Sequence, residues 1–188
     1  GITADVLLKG LSTQGYQLDT VSVKGDSSND PYSITYKGYV RNVPPNDYVF
    51  NVAFNGEVME HGISLNTVFR DADGAVGLKL GMEAAMVEDG LRFHLTPEDP
   101  VIGYETFKLK NDNYILLDHD NRVFADVSLL SEKGTGIMIY STTSEDNADC
   151  LQDLTLSLSN LNIGRLLASI PYAPRVEGSL GGDLHFVQ

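Results

Sequence analysis

The chain has 188 residues, of which 42% are hydrophobic, and its 26 acidic against 13 basic side chains give a formal net charge of −13. This length suffices for one domain with a sizeable core, and no stretch approaches the roughly 18 apolar residues of a membrane-spanning helix. The negative charge repels phosphate groups and argues against nucleic acid as a partner, but acyl chains are bound through apolar area and are not excluded. The single cysteine, Cys150, cannot form a disulfide within the chain.

The first third of the chain reads as a series of strands. Residues 1–9 resemble the edge of a strand, which predicts a fragment of a longer chain, and residues 16–24 and 32–41 alternate apolar and polar side chains. The polar residues 25–31 between them favour a turn. Two consecutive prolines make residues 43–47 the best internal boundary, between two parts of one sheet in a single β-rich domain of residues 1–188.

The alternation continues through the next part of the chain. It is most regular in residues 48–55 and again in residues 62–70, which lead through the turn formers Asp71 to Gly74 into a strand from Val76. Residues 83–88 are predicted as strand although their composition also suits a helix. Leu91, Phe93 and Leu95 form another alternating run, and residues 96–100 are predicted to turn the chain.

The middle repeats this pattern. Strands are predicted at residues 114–118 and 122–130 and around Ile137 and Ile139, followed by an acidic loop over residues 141–149. Strand-like runs recur with almost no helical interruption, which is typical of an all-β chain of consecutive antiparallel hairpins.

The closing stretch, residues 151–188, contains the most specific pattern. Leu154, Leu156 and Leu158 alternate with Thr and Ser, as in a half-buried strand, and then Leu166, Leu167 and Ile170 recur at the spacing of a short helix. Pro171 ends that helix because proline lacks the amide proton that a helix requires. Glycines then lead into a last strand with Leu184 and Phe186 on one face.

No catalytic or metal-binding signature accompanies these strands. The glycine-rich segments 134–136 and 178–182 do not open a helix, as a phosphate-binding loop requires, and the four histidines lack the spacing of metal ligands. The candidate carboxylates all fall in predicted turns, where such side chains are favoured because they form hydrogen bonds with the nearby backbone. They are Asp71, Asp73, Asp118, Asp120 and Glu145. We therefore predict no catalytic residues, no metal and no cofactor.

Several segments resemble the AsmA-like and TamB-like (translocation and assembly module) envelope proteins, in particular the long forms of Bacteroides-type bacteria. The resemblance lies mainly in residues 91–188, and its segments are residues 91–97, 114–118, 122–129, 136–141, 154–163 and 178–184. It consists of alternation patterns with Gly and Pro punctuation and includes no catalytic residue.

This resemblance implies a fold, a location and a role. The fold would be an elongated, half-open (taco-like) sheet or open barrel with an apolar concave side and one short helix near the C-terminus. The location would be the periplasm, in a protein anchored in the inner membrane. The role would be non-enzymatic and belong to outer-membrane biogenesis, either lipid transport between membranes or outer-membrane protein assembly. The partners would be phospholipid acyl chains or outer-membrane protein segments, and adjacent segments of the same parent chain.

A long sheet with one apolar face must cover that face, close into a barrel or offer the face to a ligand. We expect the apolar residues of the last strands to line a groove for acyl chains. The candidates are Val123, Val127, Leu129, Ile137, Ile139, Leu154, Leu156, Leu158, Leu184 and Phe186. The alternative for each of them is an ordinary sealed core.

Two other classes of function remain open. A β-sandwich that binds glycan or protein would need exposed aromatic side chains, and Tyr36, Tyr39 and Tyr48 lie near one predicted edge. A glycoside hydrolase would need only two carboxylates at a separation that no sequence reveals.

Overall fold

The computed structural model describes residues 1–27, 30, 32–142 and 152–188. Cys150, Glu145 and most of the predicted acidic loop therefore lie outside the described residues, as does part of the predicted turn at residues 25–31. Strands make up 68% of the structure. They are β1 (Thr3–Thr13), β2 (Tyr16–Asp26), β3 (Ser33–Asn42), β4 (Phe50–Met59), β5 (Gly62–Arg70), β6 (Val76–Val87), β7 (Gly90–Ile102), β8 (Glu105–Leu109), β9 (Tyr114–Asp118), β10 (Val123–Ser131), β11 (Gly136–Ser141), β12 (Asp153–Asn162) and β13 (Ser179–Val187), with one helix, α1 (Ile163–Ala168).

All of these strands belong to one antiparallel sheet, in the order β1-β2-β3-β4-β5-β6-β7-β8-β10-β11-β12-β13. The short strand β9 fits between β7 and β10 at one end, while β8 takes the same place at the other. Neither β1 nor β13 pairs with a second strand among the described residues, so the sheet has two free edges. The prediction of an all-β chain of consecutive hairpins is confirmed.

Most of the predicted strands are present close to their expected positions. The predicted run at residues 62–70 coincides with β5, and residues 83–87 continue β6 as strand rather than helix. The prolines at positions 44 and 45 lie in the loop between β3 and β4, which pair with each other along their whole length. This loop therefore joins two neighbouring strands of the same sheet.

Two predictions about the middle of the chain were wrong. Residues 96–100 do not turn the chain but continue β7, and the strand β8 was not predicted. The register between β6 and β7 shifts between Lys79 and Gly81, at the level of Pro97 and Pro100, so the prolines lie where the ladder is interrupted. Such an irregularity tolerates residues without an amide proton.

The closing unit is confirmed, although its helix begins earlier than the leucine spacing indicates. The side chain of Asn162 accepts a hydrogen bond from the backbone N–H of Arg165, and this cap starts α1 at Ile163. The helix ends at Ala168, so Ile170 lies in the connector, defined here as residues 169–178, which links α1 to β13.

The register aligns apolar residues in rows that run across the sheet, because residues directly opposite each other on neighbouring strands point to the same face. One row is nearly complete from β3 to β13, with Ser141 of β11 as its polar member. Its apolar members are Ile34, Val58, Ile63, Ala84, Phe93, Ile115, Ala125, Leu154 and Phe186. The face that carries this row is called the apolar face below.

The core lies on the apolar face, in the middle of the sheet. Phe107 and Leu109 of β8 pack with Val127 and Leu129 of β10, and all four are at most 7% exposed. Half-buried apolar side chains from β7, β9 and β11 surround them. The strand β8, which was not predicted, thus supplies half of this cluster.

The sheet is curled, as the path of α1 and the connector requires. The hydroxyl of Tyr172 in the connector donates a hydrogen bond to the backbone carbonyl of Gln17 on β2. On a flat sheet β12 and β2 would lie nine strand spacings apart, about 43 Å. The six residues of α1 and the four that follow reach only about 23 Å from the end of β12. Even with a tyrosine side chain added, the contact requires the two arms of the sheet to approach each other.

The curled sheet remains open. Its solvent-accessible surface is 12040 Å², whereas a compact monomer of 20.5 kDa exposes about 8,900 Å². The exposed side chains include many large hydrophobic ones, several of them on the outer strands. The molecule therefore has a buried middle and two arms, the first formed by β1–β5 and the second by β12 and β13.

Candidate apolar binding face

The structure places all ten predicted groove residues on the apolar face. Ile139 lies opposite Val127 on one side and Leu156 on the other, and Leu156 in turn lies opposite Leu184. The remaining predicted residues continue these rows, namely Val123, Leu129, Ile137, Leu154, Leu158 and Phe186. A period of two residues in each strand and an unbroken register between strands are enough to produce this common face.

The same ten residues differ in exposure. Val127 and Leu129 are 2% and 4% exposed, so they belong to the core and have no free surface for a ligand in this conformation. Leu184 and Phe186 on β13 are 55% and 54% exposed. The other six, on β10, β11 and β12, are partly buried. Accessible apolar surface thus increases from the middle of the sheet towards its edge.

A second exposed part of the apolar face lies on the first arm, outside the set of site residues predicted from the sequence. Ile34, Val58 and Ile63 lie side by side on β3, β4 and β5 and are 42–49% exposed. Leu65 and Met86 lie on the same face and are exposed as well. Their alternation was visible in the sequence, but no local pattern indicates which apolar residues stay uncovered.

Glycines let aromatic rings lie against the first arm. Gly56 on β4 lies opposite Tyr36, whose ring passes so close that a β-carbon at position 56 would come within 2.5 Å of the hydroxyl oxygen. That hydroxyl donates a hydrogen bond of 2.6 Å to the backbone carbonyl of Ser64 on β5. The ring of Tyr36 therefore covers Gly56 on β4, and its hydroxyl links β3 to β5 across that strand.

One end of the apolar face is closed by an aromatic cluster around Tyr172. Its ring centroid lies 4.9 Å from that of Tyr48 and 5.0 Å from that of Tyr16, and its edge meets Phe50. Its hydroxyl accepts a hydrogen bond of 2.8 Å from the side-chain amide of Asn42, which is 1% exposed. The connector thus caps the end of the sheet at which β3 ends and β4 begins.

The opposite end of the sheet has no such cap among the described residues. There the turn between β9 and β10 is held by Asp118, whose carboxylate accepts hydrogen bonds from the backbone N–H groups of Asp120 and Arg122. The guanidinium of Arg122 adds a contact of 2.7 Å. Partial burial opposes ionisation of Asp118, but these hydrogen bonds outweigh it and hold the pKa of the carboxyl below its ordinary value of 3.8.

The polar residues considered for catalysis serve local structure. Asp71 accepts hydrogen bonds from the backbone of Asp73 and Ala75, as expected for a turn. His94 contacts the carbonyl of Asn113, and His185 pairs with Asp153 at 2.7 Å. No group of three or more potential metal ligands occurs within the described ranges.

The three tyrosines considered for glycan binding do not form a common platform. Tyr36 lies on the apolar face, whereas Tyr39, an odd number of positions away in β3, lies on the opposite face beneath the guanidinium of Arg41. Tyr48 packs against Tyr172 in the cap. Their proximity in the sequence is therefore not a proximity of exposed rings.

The helix α1 is the only one in the described part of the chain, and it is too short to span a bilayer. Comparison with protein families, with characterised proteins and with solved structures found no significant match to this chain.

Proposed function

We propose that this chain is a non-enzymatic segment of a cell-envelope protein similar to the AsmA-like and TamB-like proteins. In this proposal it lies in the periplasm, in a parent protein anchored in the inner membrane. Its apolar face holds phospholipid acyl chains in transit between membranes, or apolar segments of outer-membrane proteins during assembly. The observation that carries the proposal is a single apolar face, continuous through the sheet register and exposed on both arms.

The physical reason is the cost of leaving this face in water. Ile34, Val58 and Ile63 on one arm and Leu184 and Phe186 on the other expose large hydrophobic side chains in contiguous rows. Contiguous apolar surface of this kind marks a site for an apolar ligand or partner. An acyl chain gains roughly 0.8 kcal/mol for each CH₂ group it buries, without any charged contact. The protein's net charge of −13 therefore does not oppose binding of the uncharged acyl chain.

The arms allow a test that separates ligand binding from folding. Ile34→Asp and Phe186→Asp place a charge on the apolar face at residues that are 49% and 54% exposed, so the fold is expected to survive. Val187→Asp is the matched control, because Val187 is 63% exposed on the opposite face of the same strand.

The measurement is uptake of a fluorescent fatty acid, with native mass spectrometry of detergent-free protein to count bound lipid. We expect the two face variants to bind at least about tenfold more weakly, because a buried carboxylate without a partner is costly. Val187→Asp should bind like the unaltered protein. Absence of lipid binding by the unaltered protein, or equal loss in all three variants, would contradict the proposal.

A further inference from the structure

A cleft of about 710 Å³ lies between α1, the connector and the turn that joins β7 to β8. Proteins hold small organic ligands in pockets of roughly 300–1,000 Å³, so this cleft has a suitable size. Its walls carry apolar side chains, among them Leu167 and Val176, and two arginines, Arg165 and Arg175. None of the residues assigned above to the apolar face lines it.

Two glycines, Gly103 and Gly164, let the backbone of α1 come close to both neighbouring segments. A β-carbon at position 164 would lie 2.6 Å from the carbonyl oxygen of Val176 in the connector, and one at position 103 would lie 2.9 Å from the backbone nitrogen of Leu166. Only a residue without a β-carbon allows these approaches. Backbone packing therefore holds α1 between the connector and the turn and fixes the walls of the cleft.

The two arginines of the cleft differ from the others in the chain. Among the described residues, neither the guanidinium of Arg165 nor that of Arg175 has a hydrogen-bond, ion-pair or ring partner. The other four arginines each have one: Arg41 and Arg92 lie over the rings of Tyr39 and Tyr114, Arg70 donates to the carbonyl of Gly74, and Arg122 donates to the carboxylate of Asp118. The two guanidinium groups that lack a protein partner thus belong to one cleft.

Their positions allow both arginines to reach one ligand. Arg165 follows Gly164 in the sequence and Arg175 precedes Val176, so the two side chains start on either side of the close contact between α1 and the connector. The residues that line the cleft include one carboxylate, Glu177, against these two guanidinium groups. The cleft therefore has a local excess of positive charge in a protein whose net charge is −13.

The donors of the cleft suit a phosphate group better than a carboxylate. Each guanidinium presents its N–H groups in a planar fork that matches the oxygens of such anions. A phosphate monoester offers three acceptor oxygens and about two negative charges, whereas a carboxylate offers two oxygens and a single charge. The apolar side chains of Leu167 and Val176 add a surface for an organic group, which a free inorganic ion would leave unused.

From these observations we infer that the cleft between α1 and the connector binds a phosphate monoester, with the phosphate on Arg165 and Arg175 and the organic part against Leu167 and Val176. A soluble phosphate ester and the headgroup of a phosphatidic acid offer this same chemistry. The inference goes beyond the proposed function and does not depend on it, because the phosphate site needs no acyl chain on the apolar face.

The test is isothermal titration calorimetry of the unaltered protein with glycerol 3-phosphate, and with dihexanoyl phosphatidic acid below its micelle-forming concentration. We expect glycerol 3-phosphate to bind, and Arg165→Gln and Arg175→Gln each to weaken its binding by about tenfold or more, since each removes hydrogen bonds to a charged group. Arg92→Gln is the matched control. It makes the same change of charge at an exposed position near the start of β7, at the other end of the sheet, and should leave binding unchanged.

A substitution that strengthens binding excludes loss of the fold as the explanation. Glu177→Gln removes the carboxylate beside the two arginines, so it should strengthen binding of glycerol 3-phosphate by about threefold. Failure of glycerol 3-phosphate to bind, binding that is indifferent to both arginine substitutions, or an equal loss in Arg92→Gln would overturn the inference.

The two probes distinguish the sources of the phosphate. Tighter binding of the lipid than of glycerol 3-phosphate, reduced by Arg165→Gln, would identify a lipid headgroup as the ligand. Equal or weaker binding of the lipid would identify a soluble ester. Glycerol 3-phosphate carries no acyl chain, so its binding reports on the cleft alone, while fatty-acid uptake by the unaltered protein reports on the proposed function.

Discussion

At the residue scale, hydrogen bonds can together outweigh burial in setting the ionisation of a carboxyl group. Asp118 is the clearest case, because its carboxylate accepts two backbone N–H groups and a guanidinium N–H in the turn between β9 and β10. The sequence placed this residue in a turn, and the structure gives it that role.

The depressed pKa of Asp118 predicts how stability changes with acid. The carboxylate contributes stability above its unfolded value of 3.8, and this contribution is lost as the pH falls through the lower folded value. We expect Asp118→Asn to be less stable than the unaltered protein near neutral pH. The difference in stability should shrink as the pH falls below 3.8 and through the lower pKa of the folded state. Denaturant titrations at several pH values measure this difference. A constant difference down to the most acidic condition would contradict the assignment.

At the scale of the element, one short strand contributes more to the core than several long ones. β8 has five residues, yet Phe107 is 1% exposed and Leu109 is 7% exposed. The alternation of Phe107 and Leu109 with Thr106 and Lys108 was present in the sequence. The equally short β9 was predicted because its residues form a continuous apolar run, whereas β8 has only two large apolar residues among polar and charged ones. Only the pairing with β7 and β10 fixes β8 as a strand.

Truncating one buried and one exposed phenylalanine to alanine distinguishes the core from the open part of the apolar face, because the two changes should affect the free energy of unfolding differently. Phe107→Ala removes a fully buried ring and should lower the free energy of unfolding by about 3–5 kcal/mol. Phe186→Ala removes a ring that is 54% exposed and should change it by no more than about 0.5 kcal/mol. Equilibrium unfolding in urea measures both. A large loss for Phe186→Ala would mean that β13 belongs to a sealed core in solution.

At the scale of the whole molecule, the connector contacts a part of the sheet that lies nine strands away from β12 in the strand order. Tyr172 joins the end of the chain to Gln17, 155 positions away in the sequence, and packs on Tyr16, Tyr48 and Phe50. A single residue thus links the two arms at the capped end.

Two substitutions of Tyr172 separate its hydroxyl from its ring. Tyr172→Phe keeps the ring contacts and should cost about 0.5–1.5 kcal/mol of stability. Tyr172→Ala loses both contributions, should cost about 2–3 kcal/mol, and should increase the radius of gyration, because the arms are no longer joined. Urea unfolding and small-angle X-ray scattering measure these effects, and Tyr32→Phe, at a residue that is 77% exposed, is the control. An unchanged radius of gyration for Tyr172→Ala would show that the curl is fixed by the strands alone.

The sequence by itself determined the local structure of this protein. Apolar residues at every second position, as in Leu154, Leu156 and Leu158, define strands, and Gly, Pro and Asp define the turns, because both signals depend on neighbouring residues only. Together they were sufficient to predict consecutive hairpins and a common face for all ten candidate groove residues.

The tertiary structure alone decided which part of that face is covered. Val127 and Phe186 follow the same pattern in the sequence, yet one is 2% exposed and the other 54%. The difference arises from the position of each strand within the sheet and from the curl that brings Tyr172 into contact with Gln17, a distant part of the chain. Exposure of an apolar residue depends on what lies above it, and the period of its own strand carries no information about that.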